Sequence, residues 1–187
     1  MDYQRQQRKK NGSKNDLDEL KTRIINILNR MSQNIPENTI PIQSEDLHYQ
    51  VARIYGDLDD RESMRDILDQ LLIRENGKVL NRIEYANTYY KELNDLDKAL
   101  FILEEMRESF LQIEGVLKTQ GYNKNTIKES RWQKWQEAYP EIISSLVFIY
   151  RENDRNQDAE IVLSDWVIRN PSDNNAKKIL NEVRSEK

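Results

Sequence analysis

Histidine and cysteine, the residues that most often carry acid–base, nucleophilic or metal chemistry, are almost absent from this chain of 187 residues. His48 is the only histidine, and there is no cysteine. A Ser-His-Asp triad or a histidine-rich metal site would depend on this one side chain, and a thiolate nucleophile, a disulfide or a cysteine-ligated zinc is impossible. His48 falls on the inner face of a predicted helix, which favours a packed or hydrogen-bonded histidine over a catalytic one.

Carboxylates are abundant, but their spacing does not indicate a reactive or metal-binding site. The segment GDLDDRE does not match a calcium loop, because Glu62 stands where that loop needs glycine. Its aspartates are typical of a turn and a helix cap. The glutamates that could form the pairs used in glycoside hydrolysis are Glu37, Glu45, Glu104, Glu105 and Glu108. Such pairs are common on charged helices, and the five glycines form no phosphate-binding fingerprint. We therefore expect no catalysis, no cofactor and no metal.

Aromatic residues at helical spacing form a second candidate site. Trp132, Trp135 and Tyr139 lie three and four residues apart, beside Lys128, Arg131 and Lys134. Rings and cations in this arrangement can stack on bases or sugars. The alternative is that the same stripe packs its helix onto the rest of the protein.

The composition favours thin layers of helix. Hydrophobic residues make up 37% and charged residues 33% of the chain, with 5 glycines and 4 prolines, a mixture that suits amphipathic helices better than a turn-rich β-sandwich. The net charge is −4, from 29 basic and 33 acidic residues that are well mixed, so nucleic acid is not favoured as a partner. No apolar run reaches the roughly 20 residues of a membrane span. Residues 1–15 form a basic tail that we expect to be disordered.

Polar breaks divide the chain into the helices that must position these residues. The segments GDLDD, LNDLD and RENDRNQD each interrupt an amphipathic pattern after a first helix and before a second. ENTIPIQ is predicted to be extended because Pro41 restricts the residue before it. Pro140 is predicted to kink the helix that carries the tryptophans or to divide it from EIISSLVFIYREN.

Three of these helix pairs superpose when each is counted from one tyrosine. The tyrosines near the ends of the first helices are Tyr55, Tyr90 and Tyr150. Nine residues later, where we expect the second helix to cross closely, stand Met64, Ala99 and Ala159. The turns between the two helices contain Asp59, Asn94 and Asp154.

This spacing resembles the tetratricopeptide repeat, a helix–turn–helix unit of about 34 residues. Met64 departs from the family pattern, which has a small residue there, and so do the three turn residues, which replace glycine. The resemblance implies an all-α, right-handed α-solenoid. Its parts would be a half-repeat at 16–36, repeats at 45–78, 80–113 and 140–173, an insertion at 114–139, and a capping helix at 173–187.

In this family the first helix of each repeat lines a concave groove that binds a peptide or partner protein. The corresponding positions here are Asp46, Tyr49, Arg53, Asp57, Asn81, Glu84, Thr88, Lys91, Glu141, Ser144, Phe148 and Arg151. Chaperone-binding members use a basic clamp for a carboxylate in the groove. Glu84 and Ser144 occupy the corresponding places, so we do not expect this clamp.

The resemblance implies a non-catalytic scaffold with a protein or peptide partner, and two alternatives stay open. The segments NRMSQNIPENTIPI and YQVARIYGDLDD resemble the soluble C-terminal tail of bacterial multi-pass membrane proteins of the glycosyltransferase-C type. That resemblance implies an extracytoplasmic module, whereas a complete chain without a signal peptide would be cytoplasmic. The other alternative is a nucleic-acid or carbohydrate binder that uses the helix of Trp132 and Trp135.

Overall fold

The computed structural model describes residues 41–74, 79–121 and 130–186, together with Glu19, Thr22, Arg23 and Asn26. Within these residues the protein is all-α and has no strand, as predicted. The helices with defined bounds are α1 Pro41–Asp57, α2 Arg61–Arg74, α3 Val79–Lys91, α4 Leu96–Thr119, α5 Ser130–Glu152, α6 Asn156–Arg169 and α7 Asn174–Ser185. The predicted tail 1–15 and nearly all of the half-repeat 16–36 lie outside the described residues.

The chain divides into two compact units, of which the first ends at Arg74 and the second begins at Glu75. In the first unit, α1 packs against α2 across a turn of residues 58–60. Val51 and Ala52 of α1 and Met64 and Leu68 of α2 are buried between the helices. Neither helix can bury its apolar stripe alone, so each stabilises the other.

Gly56 and Met64 approach each other closely within this first unit. A Cβ atom placed on Gly56 would lie 3.0 Å from the Met64 sulfur and 3.2 Å from its terminal carbon. Met64 is fully buried, so it fills the position at which the repeat pattern has a small residue. The missing side chain of Gly56 leaves the room that the larger Met64 side chain occupies.

The prediction that ENTIPIQ is extended is wrong for its last three residues. Helix α1 begins at Pro41, because proline is well tolerated in the first helical turn, where its missing N–H would have no intrahelical partner. The restriction that proline imposes acts on the residue before it, and Ile40 lies outside the described residues.

In the second unit each helix packs against the next along the chain, and α3 also packs against α5. The positions predicted to lie at close helix crossings, Ala99 and Ala159, are fully buried. Their small side chains let the backbones of two helices approach, while larger residues one turn away fill the core. Leu103 and Leu163 are the buried residues one turn after the two alanines, and Ile83, Tyr89 and Leu146 on α3 and α5 are buried as well.

The three predicted turn residues share one backbone conformation. Asp59, Asn94 and Asp154 have φ of 56°, 51° and 57°, the left-handed region in which glycine is least strained and in which Asn and Asp are the next most tolerated. After each of them a new helix begins within two residues. The departure from glycine therefore leaves the geometry of the turn intact.

Pro140 does not divide the helix that contains it. Helix α5 runs without interruption from Ser130 to Glu152, although proline removes the backbone hydrogen bond to the carbonyl of Gln136. The Pro140 ring is exposed, and the Pro140 carbonyl accepts a hydrogen bond from the Ser144 hydroxyl at 2.9 Å. The predicted insertion and the predicted last repeat are thus joined through one helix.

An aromatic stack and an ion-pair network fix the C-terminal part of α4 in the second unit. Phe110 lies against Trp132 and Tyr139 of α5. One turn further along, the buried carboxylate of Glu114 pairs with Arg169 of α6 and, at 2.9 Å, with Lys118. Buried charges persist only when they are paired in this way.

Candidate functional site

The groove positions predicted on α1, among them Tyr49, Arg53 and Asp57, belong to the first unit. Arg53 and Asp57 are exposed, whereas Tyr49 is half-buried. Their separation by four residues places them along one side of α1. The side chains of Asp46 and Glu45 lie outside the described residues.

The groove positions predicted on α3 differ in exposure. Glu84 and Lys91 are exposed and Asn81 is half-buried. Thr88 is buried, and its hydroxyl donates a hydrogen bond to the backbone carbonyl of Glu84 at 2.9 Å. Thr88 is therefore directed into the protein rather than presented to a partner, because helical threonines commonly satisfy their hydroxyl in this way.

Three of the four groove positions predicted on α5 come together in a cleft, and the fourth, Glu141, is exposed and is not part of its lining. Ser144, Phe148 and Arg151 line a cavity of about 500 Å³ in the second unit, a size within the usual range of binding pockets. Residues of α5 line one side, and residues of α6 and of α7 with its cap Asp173 line the rest, so we name it the α5–α7 cleft. Phe148 is 47% exposed, which leaves much of its ring available for contact.

Helical periodicity explains why α5 presents these residues. Ile143 and Val147 lie four residues apart and are mostly buried along the edge of the cleft. Ser144, Phe148 and Arg151 follow the same period one position further around the helix, where they become exposed or half-buried. Tyr90 of α3 meets the Phe148 ring edge-on, with centroids 6.3 Å apart, and so supports its orientation.

A capped helix start positions the opposite wall. Asp173 caps α7 by accepting a hydrogen bond from the Ala176 backbone N–H at 2.9 Å, and its second carboxylate oxygen accepts one from the Trp166 indole at 2.8 Å. Two hydrogen bonds lower the pKa of Asp173 below its ordinary value. The bond from the backbone has the larger effect, and the bond from the indole has the smaller one. These contacts fix Ala176 and Ile179 of α7 on the side that faces the cleft.

The only cation among the described residues that line the cleft is Arg151, and it is already paired. Its guanidinium contacts the Glu186 carboxylate at 2.9 Å and lies 3.9 Å from that of Glu182. Because these carboxylates neutralise Arg151, its position does not form a basic clamp for an acidic peptide end.

Of the carboxylates considered as acid–base pairs, Glu104 and Glu105 make structural contacts, whereas Glu37 lies outside the described residues. Glu104 accepts a hydrogen bond from the Tyr150 hydroxyl. The pKa of Tyr150 is raised mainly by burial and, to a smaller extent, by this hydrogen bond. Glu105 pairs with Arg82 at 2.7 Å. His48 is half-buried and makes contacts of its own. Across the described ranges, no group of three or more His, Asp or Glu side chains could hold a metal ion.

The second candidate site, around the tryptophans, is largely occupied by the protein itself. Trp132 is 4% exposed, and its ring stacks on Phe110 with centroids 5.0 Å apart. Trp135 is half-buried on the same helix. A ring whose face is covered by Phe110 cannot offer that face to a base or sugar, so the geometry favours packing of this helix onto α4.

Sequence reasoning missed the part of the cleft that α6 and α7 supply. Trp166, Asp173 and Ile179 line it, but the groove was inferred only from first helices of complete repeats. The spacing of residues along α7 contained a signal for this side of the cleft. Asn175, Ile179 and Glu186 fall on one side of the helix. The buried residues Ala176, Leu180 and Val183 fall on another. The predicted capping helix thus contributes residues to the lining of the cleft.

Comparison with known proteins adds no assignment. No protein-family model matches the chain, and no curated protein matches it. Within the part of the chain that the structure describes, no helix combines the length and the apolar character needed to cross a membrane.

Proposed function

We propose that this chain is a non-catalytic, tetratricopeptide-like helical scaffold that binds a peptide segment of a partner protein in the α5–α7 cleft. The observation that carries the proposal is that Ser144, Phe148 and Arg151, named as groove residues from the repeat pattern, line one cleft. Repeat proteins of this kind bind along the surface that successive first helices form.

The lining of the cleft supports a peptide rather than a reactive substrate. Two pairs of its polar side chains hold one another: Asp173 accepts a hydrogen bond from Trp166, and Arg151 pairs with Glu186. Its apolar side chains, which include Phe148 and Ile179, line the same cavity and can accept one or two side chains of a bound segment. An amphipathic segment in a helix-lined groove is the recognition mode that this combination favours.

A peptide selection against the whole protein tests the proposal. A display library of amphipathic segments is selected on the wild-type chain, and the enriched peptides are titrated against Phe148→Ala and Ile179→Ala. We expect each substitution to weaken binding by about tenfold or more, because anchors at the centre of a groove carry most of the affinity.

Trp166 lines the cleft, so its fluorescence should respond to binding and the response should be lost in Trp166→Phe.

Two exposed apolar residues outside the cleft provide matched controls. Phe101 on α4 is 63% exposed and Ile161 on α6 is 62% exposed, and neither lines the cleft. Phe101→Ala and Ile161→Ala should leave the affinity unchanged. Equal effects of cleft and control substitutions, or a selection that enriches no peptide, would refute the proposed role of the cleft.

A further inference from the structure

The charged groups that line the α5–α7 cleft are unbalanced. The carboxylates of Glu152, Asp173 and Glu186 line it together with one guanidinium, that of Arg151. Three negative charges against one positive charge leave two negative charges uncompensated. A cleft with this imbalance attracts a cationic partner and repels an anionic one.

One end of the cleft concentrates this negative potential. The ion pair between Arg151 and Glu186 joins the last turn of α5 to the residue after the end of α7. The C-terminal ends of both helices therefore lie at the same end of the cleft. The last carbonyls of a helix carry partial negative charge, and they add to the charges of Glu152 and Glu186.

Glu152 is the carboxylate most available to a partner. It is exposed, and it has no hydrogen bond or ion pair to the described residues. Asp173, by contrast, is engaged by the Ala176 N–H and the Trp166 indole. Glu186 shares its charge with Arg151. The strongest attraction for a cation is therefore expected beside Glu152.

The apolar part of the cleft lies next to this acidic end. Phe148 precedes Glu152 by four residues, one helical turn, and Ile179 contributes from the opposite wall. A bound segment would thus meet an apolar surface and, within one turn of it, carboxylates. The exposed face of Phe148 can also accept a cationic side chain.

We propose that the occupant of the α5–α7 cleft is a cationic amphipathic segment of a partner protein. Its apolar side chains pack against Phe148 and Ile179, and its lysines or arginines pair with Glu152 at the end where α5 and α7 finish. This inference rests on the proposed function, since it names the chemistry of the peptide that the same cleft binds.

Three designed peptides test the charge of the occupant. They are about 18 residues long, enough for five helical turns, and share one stripe of leucines, while their polar positions carry lysine, glutamine or glutamate. Each is titrated against the whole chain at low and at high salt. We expect the lysine peptide to bind at least about tenfold more tightly than the glutamate peptide, and salt to weaken only the lysine peptide substantially.

Charge substitutions at one site separate the cleft from the overall charge of the protein. Glu152→Lys should weaken the lysine peptide about tenfold and Glu152→Gln a few-fold, with a smaller salt effect in both. Glu108→Lys is the matched control, because Glu108 is an exposed glutamate on α4 outside the cleft. It should change the affinity little.

The outcomes distinguish this inference from the proposed function. If the three peptides bind with equal affinity and Phe148→Ala weakens all of them, the cleft binds peptides but the preference for cations is wrong. If Glu108→Lys weakens the lysine peptide as much as Glu152→Lys does, the attraction comes from net charge and the inference is also wrong. If neither the designed nor the selected peptides depend on Phe148, the proposed function itself is overturned.

Discussion

Phe110 stacks on Tyr139 with ring centroids 3.8 Å apart and an angle of 14° between the ring planes. It also stacks on Trp132, at 5.0 Å and 14°. Phe110 belongs to α4, whereas both partners belong to the part of α5 that precedes Pro140. The stack therefore fixes the N-terminal half of α5 on α4 and, through the continuity of α5, helps to position the half that lines the cleft.

Removal of the Phe110 ring should destabilise the second unit. We expect Phe110→Ala to lower the free energy of unfolding by about 3–5 kcal/mol, because it removes a buried ring and leaves a cavity between α4 and α5. Urea unfolding measures the loss, and near-ultraviolet circular dichroism should weaken as Trp132 loses its fixed surroundings. The control is Phe101→Ala on the same helix, an exposed site where we expect a change below about 1 kcal/mol. Similar losses at the two sites would contradict the role given to the stack.

At the turn residue Asp154, a glycine variant should be more stable than an alanine variant, which is the reverse of the order expected inside a helix. At φ of 57°, Asp154→Gly should be more stable than Asp154→Ala by about 1 kcal/mol, because a Cβ atom is strained in the left-handed region. At Gln112, an exposed position inside α4, the order should invert, with alanine more stable than glycine by about 1 kcal/mol. Thermal or urea unfolding of the four variants gives both differences. The same order at both positions would argue against a left-handed Asp154.

The buried carboxylate of Glu114 should make stability depend on pH in the acid range. Burial alone raises its pKa, but hydrogen bonds from Lys118 and Arg169 outweigh burial and hold the pKa below the ordinary value of 4.5. The unfolded state therefore binds more protons around pH 4, so this stabilisation is present above pH 4.5 and is lost as the pH falls through the lower folded pKa. We expect Glu114→Gln to cost about 1–3 kcal/mol at pH 7.

The difference between wild type and Glu114→Gln should shrink as the pH is lowered from about 5 to 3, as measured by urea unfolding at each pH. Glu108→Gln on the same helix is the control, because Glu108 is exposed and its replacement should have little effect at any pH. If the difference in the free energy of unfolding between wild type and Glu114→Gln stays constant from about pH 5 to 3, ionisation of Glu114 does not stabilise the folded protein.

The contact between Asp173 and Trp166 should be measurable as a coupling energy. Asp173→Ala removes both the cap of α7 and the acceptor of the indole N–H, and we expect a loss of about 1–2 kcal/mol. Trp166→Phe removes the donor and keeps an aromatic ring beside Tyr139. In the double variant the two losses should fail to add by about 0.5–1.5 kcal/mol. Additive losses would show that the 2.8 Å contact does not contribute to stability.

The all-helical fold and the turns could be predicted from the sequence because their causes are local. Asp59, Asn94 and Asp154 were identified by their distance from the preceding tyrosine, and Asn and Asp are the residues that tolerate the left-handed conformation best after glycine. The buried positions Ala99 and Ala159 followed from the same register. In each case a short stretch of sequence determines the backbone or the face that a residue occupies.

The extended segment predicted at Pro41 and the division of the helix considered at Pro140 were wrong, because proline restricts structure without deciding it. Pro41 starts α1 and Pro140 lies within α5. In the second case, packing of the helix on both sides of the proline, through Trp132 and Tyr139 before it and Ile142 and Ile143 after it, outweighs the loss of one backbone hydrogen bond.

The candidate site was predicted on one wall only, since the other wall depends on tertiary contacts. Three residues of α5 were identified, but the hydrogen bond of Trp166 to Asp173 and the ion pair of Arg151 with Glu186 join residues on different turns and helices. No local pattern specifies such partners. The same holds for Glu114, whose burial depends on Arg169, 55 residues further along the chain.

The close approach of Gly56 and Met64 has a consequence for how this protein can diverge. A Cβ atom at Gly56 would lie 3.0 Å from the sulfur of Met64, so a larger residue at the first position requires the flexible tip of the second to move by a few tenths of an ångström or to be shortened. We expect homologous chains to show covariation between the two columns, with bulk allowed on α1 or on α2 but not on both. The side-chain size that is accepted at position 56 thus depends on the residue at position 64.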